Sequence, residues 1–255
     1  MRVVAVINQK GGVGKTTTSA NLGHAIAGSG KKVTVIDLDP QGHLSVSLGV
    51  TQNHSGIDDV LLNNRTLQQQ LVSVREGLQL IASGRRLPEI EQLSEEGARS
   101  GDLLRHALQG KLSGQDFVFI DCPPSSGLLV TNALFAVDEI LIPMTGDFLA
   151  LQGLSYLMGT IRKFERVFKK KYKILLVMSR YSPTRPISKQ VLNILLQHFP
   201  EQILATVIRE TAVLAECPSF GKTILEYSPK SRSARDFRNL AKDFQESRVM
   251  IYGGK

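Results

Sequence analysis

The sequence predicts an α/β fold: a mostly parallel, twisted sheet flanked by helices on both faces. Three observations predict it. Runs that are apolar throughout, such as Val3-Val4-Ala5-Val6-Ile7 and Phe117-Val118-Phe119-Ile120, alternate with segments of helical spacing. Strands buried on both faces read this way. A glycine-rich turn separates the first apolar run from the first helical segment. The chain has 255 residues, 42% hydrophobic and 21% charged, which is enough to bury one large core.

The elements follow in order. Residues 2–7 read as the first strand and 17–29 as a helix, with Leu22, Ala25 and Ile26 on one side and Gly28 and Gly30 ending it. A strand is expected at 32–36. The stretch 50–115 carries little specific signal beyond a strand at 78–82 and a helix at 102–111. Strands follow at 117–120, ending on Asp121, and at 140–143. A long helix over 151–170 precedes a strand at 173–178. Residues 186–198 read as a helix and 203–208 as a further strand. A last amphipathic helix over 233–245 places Phe237, Leu240, Ala241 and Phe244 on one face. We expect residues 1–255 to form one domain.

No apolar run approaches the roughly 20 residues that cross a bilayer, and the chain enters its first strand without a signal-peptide layout. A cytoplasmic protein is expected. The two cysteines, Cys122 and Cys217, suggest no disulfide framework, and the five histidines show no metal-ligand spacing. Net charge is +8, and its distribution is uneven: residues 1–127 carry 12 basic and 12 acidic side chains, residues 128–255 carry 19 and 11. Such an excess suits either a polyanionic partner or a merely well-solvated surface.

The chemistry concentrates in Lys10-Gly11-Gly12-Val13-Gly14-Lys15-Thr16-Thr17. A strand, a glycine turn and a helix start make a phosphate-binding loop, because backbone N–H groups curl round an anion and the helix aims its positive end at it. In such a loop Lys15 reaches the β- and γ-phosphates and the Thr16 hydroxyl holds Mg²⁺. The usual loop has glycine where this chain has Gln9, and Lys10 is an additional lysine.

This K-G-G-x-G-K-T-T pattern is the deviant Walker A motif, and the chain resembles the ParA/MinD family of P-loop ATPases. Two further motifs carry the resemblance: Asp37-Leu38-Asp39-Pro40-Gln41-Gly42, similar to the family's switch I, and Phe117 to Pro124, similar to its Walker B strand, with switch II following at 123–127. Later stretches around 216–222 and 231–234 echo Soj-like members. The resemblance implies ATP and Mg²⁺ as ligands, phosphate contacts from Gly11, Gly12, Val13, Gly14, Lys15, Thr16 and Thr17, and Mg²⁺ held by Thr16, Asp37 and Asp121. It implies a homodimer in which Lys10 reaches the partner subunit's nucleotide, with Asp39 orienting the attacking water and basal turnover slow. Arg209 stands in a loop that reads adenine in the family, although Glu210 replaces the usual Asn.

The resemblance also implies non-specific binding to double-stranded DNA, with Arg185, Arg209, Lys230, Arg232 and Arg235 as candidate phosphate contacts. A ParB-like activator and association with the nucleoid would follow. Two alternatives stay open: MinD-like membrane positioning, disfavoured by the short glycine-terminated end, and positioning of a protein cargo. The phosphate loop begins at residue 10, so no N-terminal helix-turn-helix extension is expected.

Overall fold

The apolar runs form the centre of the molecule because none has a helical period and each is long enough for a strand alone. The structure is a computed structural model that describes residues 1–50, 55–92, 101–109 and 112–251. Along them run β1 (Arg2–Val6), α1 (Lys15–Ala27), β2 (Val33–Asp37), α2 (His43–Ser47), α3 (Ile57–Asn63) and α4 (Leu67–Gln70). Next come β3 (Val72–Arg75), β4 (Leu78–Ile81), α5 (Leu87–Gln92), α6 (Leu103–Leu108), β5 (Phe117–Asp121), α7 (Leu128–Ala136) and β6 (Glu139–Thr145). The chain continues through α8 (Phe148–Phe168), β7 (Lys173–Ser179), α9 (Pro186–His198), α10 (Ala212–Glu216), α11 (Ile224–Tyr227) and α12 (Arg232–Glu246).

The seven strands form one sheet in the order β3-β4-β2-β5-β1-β6-β7. All neighbours are parallel except the edge pair β3 and β4. Register aligns Val6 with Asp121 and Asp37 with Asp121, so the loops after β1, β2 and β5 leave the sheet side by side. The carboxyl ends of strands near a reversal of strand order are where open α/β sheets bind ligands.

Helices cover both faces. One layer buries Leu22 and Ile26 of α1 against Phe237, Leu240 and Phe244 of α12. The other buries α7, α8 and α9 through Leu129, Leu154, Ile161, Val191 and Leu195. Phe119, Phe237 and Phe244 are wholly buried; truncating such a ring costs about 3–5 kcal/mol.

Most expected elements are present within one to three residues. Some elements differ from expectation. The expected strand at 203–208 forms isolated bridges only, Leu176 to Ile203 and Leu204 to Val249, with Tyr181 to Arg209 just beyond it. Ile203, Leu204 and Ile208 are buried, which gives the apolar pattern. Between them the chain turns toward the end of α12, where the Ala205 N–H donates to the Arg248 carbonyl and Thr206 Oγ1 to Asp243. The antiparallel edge strand β3 and the helix α7 carried no pattern that set them apart in the sequence. The helix expected over 102–111 covers Leu103–Leu108, and its expected last two residues lie outside the described ones.

Candidate nucleotide site

The loop after β1 is anchored before it turns. Asn8 is buried; its Nδ2 donates to the Pro143 carbonyl (2.8 Å) and its Oδ1 accepts from the Lys10 N–H (3.0 Å). Gly12 and Gly14 then take φ of 73° and 89°. A side chain at Gly14 would find room, with Ser179 Cβ 3.7 Å away, so the requirement for glycine there lies in the backbone. Gly14 also caps α1 without a side-chain bond, leaving first-turn N–H groups free to face an anion. The Ser179 hydroxyl at the end of β7 donates to the Val13 carbonyl (2.6 Å) and pins the loop from below.

Lys15 opens α1 and is 7% exposed. Its Nζ donates to the Lys10 carbonyl, at 3.4 Å. Burial lowers its pKa, while the nearby Asp121 and Asp39 pull the other way. The Thr16 hydroxyl donates to Asp121 Oδ2 (2.7 Å) and the Ser19 hydroxyl to Asp121 Oδ1 (2.9 Å). Asp37 accepts from the backbone N–H and hydroxyl of Ser45 (3.0 and 2.8 Å). Both carboxylates are buried. Burial first, and then Asp121, pushes Asp37 up to about 7; burial pushes Asp121 up to about 6. Two hard carboxylates and a hydroxyl, short of positive charge, are a donor set suited to Mg²⁺.

Gly11, Gly12, Gly14, Lys15, Thr16, Thr17, Asp39 and Arg209 line one cavity of about 760 Å³. Its far wall is apolar, formed by Ile208, Leu214, Pro218 and Phe237. The Val13 side chain is buried beneath the loop. Lys10 stands to one side, with Nζ 2.8 and 2.9 Å from the two oxygens of Asp147, the residue that caps α8. Burial would raise the Asp147 carboxyl, but hydrogen bonds from Lys10 and Thr145 hold it below the usual range.

Beyond β7 the candidates separate. The Arg209 guanidinium forks onto Asp236 of α12, so its charge is committed within the chain. Glu210 bridges Arg180 (2.6 Å) and Arg185 (3.4 Å), and Arg180 Nη1 also donates to the Gly12 carbonyl (3.2 Å). Lys230, Arg232 and Arg235 are exposed at the start of α12. Sequence reasoning missed Asn8, Ser19, Ser45, Asp147 and Arg180. Ser19 and Ser45 had a legible signal, since each lies on a helix directly after a motif. Asp147 and Arg180 had none, because their partners are distant in sequence.

A family model described as "AAA domain" matches residues 1–174. The chain is 36% identical to the chromosome partitioning protein ParA of Caulobacter vibrioides over 249 residues, 95% of this chain and 93% of that one. It is 35% identical to the sporulation initiation inhibitor protein Soj of Bacillus subtilis over 253 residues, 95% and 97% of the two chains. Among solved structures, the cobyrinic acid a,c-diamide synthase of Mycobacterium smegmatis with bound ADP and magnesium is 30% identical, covers both chains fully and superposes with a TM-score of 0.83. A putative plasmid partition protein of Borrelia burgdorferi, 22% identical, covers 96% of this chain and 98% of its own with a TM-score of 0.82 and shares the fold.

Proposed function

We infer the function from one premise: this chain belongs to the AAA-domain family and, within it, to the ParA/Soj group of P-loop ATPases. The reading is a partition ATPase that uses ATP and Mg²⁺, dimerises when ATP is bound, and in that form holds double-stranded DNA without regard to sequence. A ParB-like partner stimulates hydrolysis and releases it, and the protein accumulates on the nucleoid. The single observation that carries the reading is the convergence of three adjacent strands on one place: Lys15, Thr16 and Asp39 line the cavity, and the buried Asp37 and Asp121 stand at the ends of β2 and β5, with Asp121 accepting from the Thr16 hydroxyl.

In this reading Lys15 and the loop N–H groups take the β- and γ-phosphates. Thr16, Asp37 and Asp121 hold Mg²⁺, which offsets phosphate charge when bound. Asp39 orients the attacking water. Lys10 leaves Asp147 and reaches the nucleotide of the partner subunit, adding charge where it develops in the transition state. Lys10 and the Asp37–Gly42 turn favour this over the amide-forming chemistry named for the Mycobacterium smegmatis neighbour.

The membrane alternative is the weaker one. Phe237 and Phe244 of α12 are buried in the core, and the chain after it is held back on the domain by the Met250 N–H to the Ile203 carbonyl. Among the described residues no helix is long and apolar enough to cross a membrane.

The test is a gel shift with non-specific duplex DNA in ATP, ADP and no nucleotide. Retention only with ATP is expected, and Asp39→Ala should remain dimeric and DNA-bound with ATP. Equal retention in all three states, or a monomeric Asp39→Ala protein with ATP and Mg²⁺, overturns the reading.

A further inference from the structure

A second basic surface lies on the sheet face opposite α12. The outer side of α8 presents Arg162, Lys163 and Arg166, and Lys169 caps the helix; all four are exposed. Their spacing sets them in one stripe, about 10 Å long at the rise of a helix. The neighbouring cations are answered within the chain: Lys170 by Asp138 (3.2 Å), Lys171 by Glu165 (3.5 Å), Lys173 by Glu139 (3.9 Å). Among the described residues, no ion pair engages Arg162, Lys163, Arg166 or Lys169. The structure thus divides a run that looks uniform in sequence into a neutralised base and an unanswered stripe.

Acidic residues are sparse on the helices that carry and flank the stripe. Glu165 is the sole acid of α8, and α9, which packs on α8, has none. Lys169 takes a left-handed φ of 49° at the C-cap, where glycine or asparagine is at ease and a lysine is strained. Four cations along one helix face, beside the exposed Tyr156, Val167 and Phe168, match a regular polyanion rather than a folded protein face. A lipid surface would need bulky apolar side chains beside the cations along the whole face, and here Ser155 and Gly159 continue the stripe.

We propose that the α8 stripe of Arg162, Lys163, Arg166 and Lys169 is a second phosphate-contacting surface for duplex nucleic acid, separate from the cations at the start of α12. It rests on the DNA-binding reading for its ligand but not for its residues. With one such surface on each face, a single molecule can touch two duplex segments and bridge them.

The experiment compares full-length protein with two variants: Arg162→Gln, Lys163→Gln, Arg166→Gln and Lys169→Asn together on α8, and Lys230→Gln, Arg232→Gln and Arg235→Gln together on α12. The substitutions are exposed, and asparagine suits the left-handed cap. Duplex affinity is measured with ATP across a salt series, with basal ATPase as the folding control. Each lost phosphate contact lowers the slope of log affinity against log salt by about 0.9, so the α8 variant should lose about 2–4 from the slope and fail to co-sediment two labelled duplexes. An unchanged slope and unchanged bridging in the α8 variant, with DNA binding lost in the α12 variant, overturns the proposal and leaves the DNA reading intact. No duplex binding by the unmodified protein overturns both. Loss of binding to phosphatidylglycerol vesicles with no change in the DNA slope assigns the stripe to lipid and overturns the proposal.

Discussion

The two sides of the nucleotide cavity are held together by different physics. On the side of β1, β2 and β5, side chains are buried and hydrogen-bonded to close neighbours: Asp37 to Ser45, Asp121 to Thr16 and Ser19, Asn8 to its own loop. On the side of β6 and β7, partly exposed ion pairs join distant segments: Lys10 to Asp147 and Arg180 to Glu210. Buried polar groups are costly to disturb, because an unsatisfied one loses its full hydration. Exposed ion pairs contribute about 0–1 kcal/mol each and weaken with salt. The first side is therefore a fixed frame. The second can rearrange, which suits the role proposed for Lys10. The Arg209 to Asp236 pair is the exception on the second side, since Asp236 is buried and anchors the loop to α12.

The largest effect should come from the fixed side. Lys15→Ala should abolish measurable ATP binding, a loss of at least about 100-fold for a charged contact to phosphate, read by fluorescent-nucleotide titration. Binding within a few-fold of the unmodified protein would break the assignment of the loop.

Next is the Asp37 carboxyl. Its pKa is raised to about 7 in the fold, against an ordinary value near 4. The native state therefore holds a proton that the unfolded chain has released. The stability this contributes is present below about pH 4 and is lost as pH rises through about 7, at up to about 1.4 kcal/mol per pH unit. Without nucleotide or Mg²⁺, the melting temperature of Asp37→Asn relative to the unmodified protein should climb from pH 5 to pH 8. A flat difference would show that the carboxyl is not destabilised by burial.

Asp147→Asn acts on the adjustable side and should be milder. Freeing Lys10 should tighten ATP-dependent dimerisation about two- to five-fold at low salt, by analytical ultracentrifugation, and the gain should vanish in 0.5 M salt. An equal gain at both salt concentrations would mean that the pair does not hold Lys10 back. The smallest effect is expected for Arg185→Gln. Its 3.4 Å contact with Glu210 is exposed, so the melting temperature should move by less than about 2 °C, and a larger drop would make the Arg180–Glu210–Arg185 bridge part of the frame.

The same division decides what was legible beforehand. The strands, the phosphate loop, Asp37, Asp39 and Asp121 were readable because each depends on residues adjacent in the chain: an apolar run, then a glycine turn or a carboxylate at its end. The segment at 203–208 was misread as a strand because burial alone makes an apolar pattern, whether or not a ladder forms. The basic run at 162–173 gave no hint of which charges are answered, since Lys170 and Lys173 meet Asp138 and Glu139 at the start of β6, far from them in sequence.

The sequence by itself determined the parallel sheet, the glycine turn and the placing of carboxylates at strand ends, because strand burial, left-handed backbone and residue order are properties of short stretches. Only the tertiary structure decided that Lys10 rests on Asp147, that Arg209 is tied to Asp236 and that, among the described residues, no ion pair answers Arg162, Lys163, Arg166 or Lys169. Those outcomes depend on which charges the fold brings within a few ångströms of one another, and that distance is fixed by packing between elements far apart along the chain.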